Sequence, residues 1–262
     1  YNLAEDVKVV IEETGKVQEF SIYDVEKTNN IPISKQDITT GEEIEGAKLE
    51  LLDSKGKVIE SWTSTTKPHV INNLKAGTYT IREKAAPKGY LLAEDIEFTI
   101  DAEGNIKGST IMQDDYTKVE ISKKDIVTSE ELPGATLQVI EKSTGKVLEE
   151  WISKDSAHRI DKLPIGEYIL REITAPDGYV RAEDVEFTVS NSGEIQRVEM
   201  QDDYTKVEIS KKDLETKEVL EGAQLQLLNS QGDVVAEFTS ENKAYTISKL
   251  PVGEYTLHEV KA

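Results

Sequence analysis

KVEISKKD at residues 118–125 returns unchanged at residues 206–213, and a looser copy, NIPISKQD, stands at residues 30–37. Each string alternates apolar and polar residues, and on a pleated strand alternate side chains share a face. Val119, Ile121 and Lys123 therefore fall together, as do Val207, Ile209 and Lys211, and Ile31, Ile33 and Lys35. Lys35, Lys123 and Lys211 are 88 residues apart both times, so the chain is a tandem repeat whose units each aim one lysine at their own core.

Outward from these strings the copies stay in register. The second continues IVTSEELPGATLQVIEKSTGKVLEEWIS, the third LETKEVLEGAQLQLLNSQGDVVAEFTS and the first ITTGEEIEGAKLELLDSKGKVIESWTS. A polar stretch follows in each, then LKAGTYTIREKAAPKGY, LPIGEYILREITAPDGY or LPVGEYTLHEVKA. ATLQVIEK, KVLEEWIS, EYILREI and VEFTVS alternate over the length of a strand, and Ser-Lys-Gly, Ser-Gln-Gly and Asn-Ser-Gly punctuate them as turns. Apolar residues at helical spacing are scarce. Seven or so short strands per unit predict an all-β chain of small antiparallel sandwiches or barrels.

The units are out of phase with the chain ends. Residues 26–115 and 116–203 are read as complete modules, and 204–262 as a third that lacks its last strands. Residues 1–25 match residues 90–115 and are read as the closing strands of a preceding or permuted module.

Composition narrows the function. At 262 residues with 37% hydrophobic content, the chain has material for several thin cores rather than one large one. A net charge of −20 repels nucleic acid and anionic membrane alike, so neither is expected as a partner. No apolar run reaches the length of a membrane span, and Tyr1 does not open a signal peptide; an export signal or anchor is expected outside this sequence. Cysteine is absent, which removes thiol catalysis, disulfides and cysteine-ligated zinc. His69, His158 and His258 are too scattered for a metal site and are assigned ordinary surface or edge roles, so neither metal nor cofactor is expected.

The chemistry lies where the alternation is broken by charge. Besides the lysines, Glu83 shares parity with Tyr79 and Ile81, Glu172 with Tyr168 and Leu170, and Glu259 with Tyr255 and Leu257. In the closing strands Asp114 aligns with Met112, Asp202 with Val198 and Met200, and Asp24 with Phe20 and Ile22. Buried charge is costly unless paired or neutralised. One reading is an ion-paired triad that fixes strand register. The other begins from burial itself, which disfavours the charged forms and lets a neutral amine face a neutral acid. The amine is then a nucleophile, the carboxyl carbon an electrophile, and a second carboxyl can carry protons. Folding would hold all three at high effective molarity, and the product would be a side-chain amide formed once, with loss of water.

These residues also carry a resemblance. ISKKD, PGAT, GEYILREITAPDGY and VEMQDD in the second copy resemble the collagen-adhesin B-type (CnaB-like) modules of Gram-positive surface proteins and pilins, and the likeness extends over essentially the whole chain. It implies a tandem array of Ig-like β-sandwich modules in an elongated rod, each with an isopeptide bond from a first-strand lysine to a last-strand Asn or Asp, assisted by a glutamate. On this sequence the bonds would be Lys35 to Asp114 with Glu83, and Lys123 to Asp202 with Glu172. Many members have Asn as acceptor, whereas here every acceptor is Asp.

Lys211 and Glu259 have no aspartate downstream, and Asp24 has no lysine or glutamate upstream. Lys211 of one molecule could bond Asp24 of the next and build a head-to-tail fibre; a segment that begins and ends mid-repeat in a longer fibre is the alternative. The function implied is a structural stalk of a secreted, cell-wall-attached adhesin or pilus-like protein, with copies of the chain or neighbouring repeats as partners. A host-ligand-binding repeat is the competing class, although Trp62, Trp151 and Phe238 recur in register as packing residues rather than marking a binding face. A turnover enzyme is not expected, because acid doublets such as Glu42–Glu43 and Asp114–Asp115 are ordinarily solvated.

Overall fold

The computed structural model describes residues 4–25 and 27–262. Residues 1–3 and Glu26, where the expected preceding module begins and the first complete one starts, lie outside the described residues. The first repeat holds β1 (Asn29–Asp37), β2 (Lys48–Asp53), β3 (Val58–Thr63), β4 (His69–Leu74), β5 (Gly77–Ala85), β6 (Ile96–Ile100), β7 (Ile106–Gly108) and β8 (Ile111–Asp114). The second holds β9 (Lys118–Asp125), β10 (Thr136–Glu141), β11 (Lys146–Ile152), β12 (His158–Asp161), β13 (Gly166–Thr174), β14 (Val185–Val189) and β15 (Ile195–Asp202). In the third are β16 (Lys206–Ile209), β17 (Gln224–Leu228), β18 (Val234–Thr239), β19 (Tyr245–Ser248) and β20 (Thr256–Lys261). Among the described residues there is no helix.

Each repeat is a pair of sheets. In the first the orders are β4-β1-β8 and β3-β2-β5-β6-β7, in the second β12-β9-β15 and β11-β10-β13-β14, and in the third β16-β19 and β18-β17-β20. The alternation read from sequence is the burial pattern observed: Val119, Ile121, Lys123 and Asp125 are buried along β9, with the intervening residues half-exposed. The two sheets meet through such faces, where Leu49, Leu51, Ile81, Phe98 and Met112 pack in the first repeat. Full burial of side chains of this size contributes about 1.5–3 kcal/mol each. Tyr79 stacks on Phe98, and Tyr168 on Phe187, both at 5.5 Å between ring centres. At the sheet edges Trp62 stacks on His69 and Trp151 on His158.

The expected antiparallel sandwich needs one correction. β1 pairs with β8, and β9 with β15, in parallel. A parallel pair needs a crossover rather than a hairpin, and here the whole of the intervening repeat supplies it. First and last strands therefore lie side by side, with Lys35 opposite Met112 and Asp37 opposite Asp114, and Lys123 opposite Met200 and Asp125 opposite Asp202.

In the stretch expected to form the closing strands of a preceding or permuted module, residues 4–25 contain no strand and are mostly exposed. The strands against which such segments pair in the other repeats have no counterpart ahead of them in this sequence, and a lone hairpin gains too little to order itself. The third repeat shows the converse. Leu170 on β13 is 0% exposed, whereas its equivalent on β20, Leu257, is 47% exposed, because nothing in the third repeat plays the part of β14 and β15. By contact clustering the chain forms two compact units, Tyr1–Thr117 with Lys162–Pro164 and Asn191–Glu194, and Lys118–Asp161 with Ile165–Ser190 and Ile195–Ala262.

A buried serine closes the start of β2, β10 and β17 alike. Ser153 Oγ accepts from Ala135 N–H at 2.9 Å and donates to the Leu132 carbonyl at 2.7 Å. Ser64 and Ser240 accept from Ala47 and Ala223 in the same way. The preceding residue, Gly134, has φ +97°, a left-handed conformation that a glycine adopts without a Cβ penalty. Ser153→Ala should strand the Ala135 donor and the Leu132 acceptor away from water, lowering stability by about 1–3 kcal/mol; urea unfolding of the variant against the parent checks this.

Candidate functional site

In the first two repeats the three predicted residues converge. Lys35 sits on β1 and Asp114 on its parallel neighbour β8, while Glu83 reaches across from β5 in the facing sheet. Lys35 Nζ contacts Asp114 Oδ1 and lies 3.2 Å from Glu83 Oε2. The second repeat reproduces this: Lys123 on β9 contacts Asp202 Oδ1 on β15, and its Nζ is 3.3 Å from Glu172 Oε1 on β13. Lys35, Lys123, Asp114 and Asp202 are each only 1% exposed.

Register explains why these residues meet. The parallel offset places the lysine one step short of the aspartate, so both project from the same sheet face into the sandwich. Glu83 pairs across to Leu49 and Glu172 to Leu137, which centres the glutamates in the opposing sheet. Burial pushes the Asp114 carboxyl up to about 7 and the Asp202 carboxyl up to about 6; the neighbouring lysine pulls each down and the neighbouring glutamate adds to the rise. Asp114 Oδ2 and Asp202 Oδ2 have no hydrogen-bond partner. A buried carboxyl oxygen left unpaired is poorly held as a carboxylate.

Two supporting groups were not anticipated from the sequence. Ala93 N–H donates to Glu83 Oε2 at 2.8 Å, and Ala182 N–H to Glu172 Oε2 at 2.7 Å, so one oxygen of each glutamate is fixed; in Glu83 that same oxygen faces Lys35, whereas Glu172 turns its other oxygen, Oε1, to Lys123. The loop bearing each alanine is pinned in turn by an arginine next to the glutamate: Arg82 grips Asp95 and Arg171 grips Asp184, both in a two-pronged pair closing to 2.6 Å. The sequence signal was available in the repeated Arg-Glu and Ala-Glu-Asp strings.

The other predicted residues are placed differently. Lys211 Nζ is 2.7 Å from Glu259 Oε2, but both side chains are about a third exposed, at 28% and 34%. Asp24 is exposed in the strandless segment.

Comparison with known proteins places this arrangement. The profile of the SpaA prealbumin-like fold domain matches residues 29–115, 117–204 and 205–262. The chain belongs to that family. SpaA-type repeats thus account for three tandem stretches, the third being the one without closing strands. The solved Bacillus anthracis TIE protein is similar at 26% identity and a TM-score of 0.45, over 90% of this chain and 46% of that one, so the chain spans less than half of that protein. The shaft pilin SpaA of Lactobacillus rhamnosus GG matches at 17% identity and TM-score 0.36, over 68% of this chain and 98% of the pilin. A streptococcal ancillary pilin matches at 13% identity and TM-score 0.39, over 90% and 91%. Among curated proteins none matches.

Lys123→Met should expose the acid pair. Asp202 already stands above its unfolded value of 3.8, so the folded state keeps a proton that the unfolded state releases. Such a group favours folding at low pH, and that advantage is lost as pH rises from the unfolded value through about 6, further still once Lys123 no longer pulls it down. The urea midpoint of the variant should therefore fall between about pH 5 and about pH 8; equal midpoints would contradict a buried acid pair.

Proposed function

We infer that the first two repeats staple themselves, each by an amide between its lysine and its aspartate, and that the chain serves as a structural stalk at the surface of a Gram-positive cell. The observation that carries this is a lysine amine in contact with a carboxyl oxygen inside a sandwich that excludes solvent, with a glutamate within 3.3 Å of the same nitrogen. Lys123 Nζ attacks Asp202 Cγ, the C–N bond forms, and the Cγ–Oδ bond breaks. Two protons leave the nitrogen and one oxygen leaves the carboxyl with them as water. Glu172 takes a proton from the nitrogen and returns it to the departing oxygen, ending as it began. No oxidant, cofactor or second substrate enters the balance, and each site reacts once.

The consequence is mechanical and thermodynamic. Lys35 and Asp114 are 79 residues apart in sequence, a loop whose closure would stabilise the fold by about 4–5 kcal/mol in the chain-entropy picture. Because the joined strands are the first and last of the repeat, tension along the chain would cross from one to the other through the amide and leave the intervening strands unstretched. Amides also persist under reducing conditions. The SpaA-type family and the excess of acidic groups suit a soluble extracellular shaft.

The half-exposed Lys211–Glu259 pair favours one extension of this reading. A strand carrying a carboxylate, laid parallel to β16 in the register that β15 takes beside β9, would cover Leu257 and complete the triad. Residues 18–25 of a second copy, with Asp24 as acceptor, are the occupant we propose.

Intact mass of the purified protein should fall short of the sequence mass by one water for each of the two repeats. Glu172→Ala should abolish one of these losses while leaving that of the first repeat. A full-length mass with no deficit would reject stapling, and an unchanged deficit in the variant would remove the glutamate from the chemistry. Bands at multiples of the chain mass on a denaturing gel, lost in Asp24→Ala, are the expected sign of joining between copies; a monomer band alone would reject that extension.

A further inference from the structure

A second lysine in the second unit occupies a site unrelated to stapling. Lys249 lies in the turn after β19 with φ +60°, a left-handed conformation uncommon for a side-chain-bearing residue. Its ammonium is 2.8 Å from Asp125 Oδ2 and 2.5 Å from the Tyr179 hydroxyl. It also lies over the rings of Tyr179 and Tyr204, at 4.8 and 5.4 Å from their centres. Those rings meet edge to face, which leaves a concave aromatic corner beside a carboxylate.

The corner belongs to the second repeat and the lysine to the third. Asp125 is buried at the end of β9; its Oδ1 accepts from Val127 and Thr128 N–H, and its Oδ2 accepts from the Tyr179 hydroxyl at 2.7 Å as well as from Lys249. The Lys249 and Tyr179 hydrogen bonds hold this carboxyl well below the ordinary range.

The backbone is shaped for the same contact. Lys249 N–H donates to the Thr205 carbonyl at 2.9 Å, and Thr205 Oγ1 donates to the Leu250 carbonyl at 2.6 Å. A Cβ on Gly178 would stand 2.4 Å from the Lys249 carbonyl oxygen, so the approach requires glycine there. Between β15 and β16 only residues 203–205 connect the two repeats, and short connections of this kind are hinges unless something holds them.

We propose that Lys249 is the key of a lock between consecutive repeats, seated in a socket formed by Asp125 and Tyr179 of the repeat before it and by Tyr204 of the connector, and that the lock stiffens the joint at residues 203–205. The partner this surface fits is another repeat of the same kind presenting a left-handed lysine ahead of its Leu-Pro. The first unit contains the same set: Lys162, φ +64°, is 2.8 Å from Asp37 Oδ2 and lies over the rings of Tyr90 and Tyr116. Gly89 there repeats the part of Gly178, with a Cβ falling 2.2 Å from the Lys162 carbonyl oxygen. At the equivalent position of the first repeat stands Asn73, which keeps the left-handed backbone at φ +60° and carries no charge.

The chain has no cysteine, so spin labels can be placed uniquely at Asp155→Cys and Ser230→Cys, one exposed residue on each repeat of the second unit. The distance distribution between them should be narrow in the parent. Lys249→Met keeps the aliphatic stem and removes the ammonium, and should raise the population outside the main peak about fivefold to tenfold, with the strand signal in circular dichroism unchanged. A distribution as narrow as that of the parent would overturn the lock. So would broadening accompanied by loss of strand signal, since that would place Lys249 in the stability of the third repeat itself.

Discussion

The parallel pairing of first and last strands is the constraint on which the rest of this molecule depends. It sets a lysine from the start of each of the first two repeats beside an aspartate from its end, on one face of one sheet. A hairpin could not do this, because hairpin partners are close in sequence and run in opposite senses. The facing sheet then supplies the glutamate, and together they seal the three groups from water. The third repeat has the same lysine and glutamate at the same positions and no closing strand, and there both side chains stay partly solvated. Burial, rather than residue identity, separates the enclosed triads from a surface ion pair.

The interior and the surface of these repeats obey opposite electrostatic rules. Outside, a large acidic excess is solvated. Inside, an acid is driven toward its neutral form by desolvation, and the lysine beside it can be made neutral only by giving up a proton to a neighbour. The fixed orientation of the glutamates follows from groups that are themselves ordinary: an alanine N–H, and an exposed arginine–aspartate pair that holds the alanine's loop in place.

One strand carries both the buried lysine of the triad and the aspartate of the aromatic corner. Lys123 and Asp125 lie on the same buried face of β9, two residues apart, the first turned to the triad and the second to the aromatic corner where Lys249 is seated. Force arriving from the following repeat would thus reach the folded unit beside the buried Lys123–Asp202 contact. The repeated glycine, tyrosine and aspartate of each boundary are then interface residues rather than turn punctuation.

The linear sequence by itself determined the period, the all-β character and the identity of the inward-facing charges, because a strand's alternation is a local property and a lysine in an apolar face is visible without coordinates. Parity was enough to choose Asp114 over Asp115 and Asp202 over Asp203. It was not enough to show that the outer strands run parallel, that residues 4–25 form no strand, or that Ala93, Ala182, Lys162 and Lys249 make the contacts they do. Those were decided by tertiary structure, for one physical reason: each depends on which distant segment lies alongside. Backbone N–H groups and left-handed turn residues leave no mark in a hydrophobic pattern until the neighbour they contact is in place.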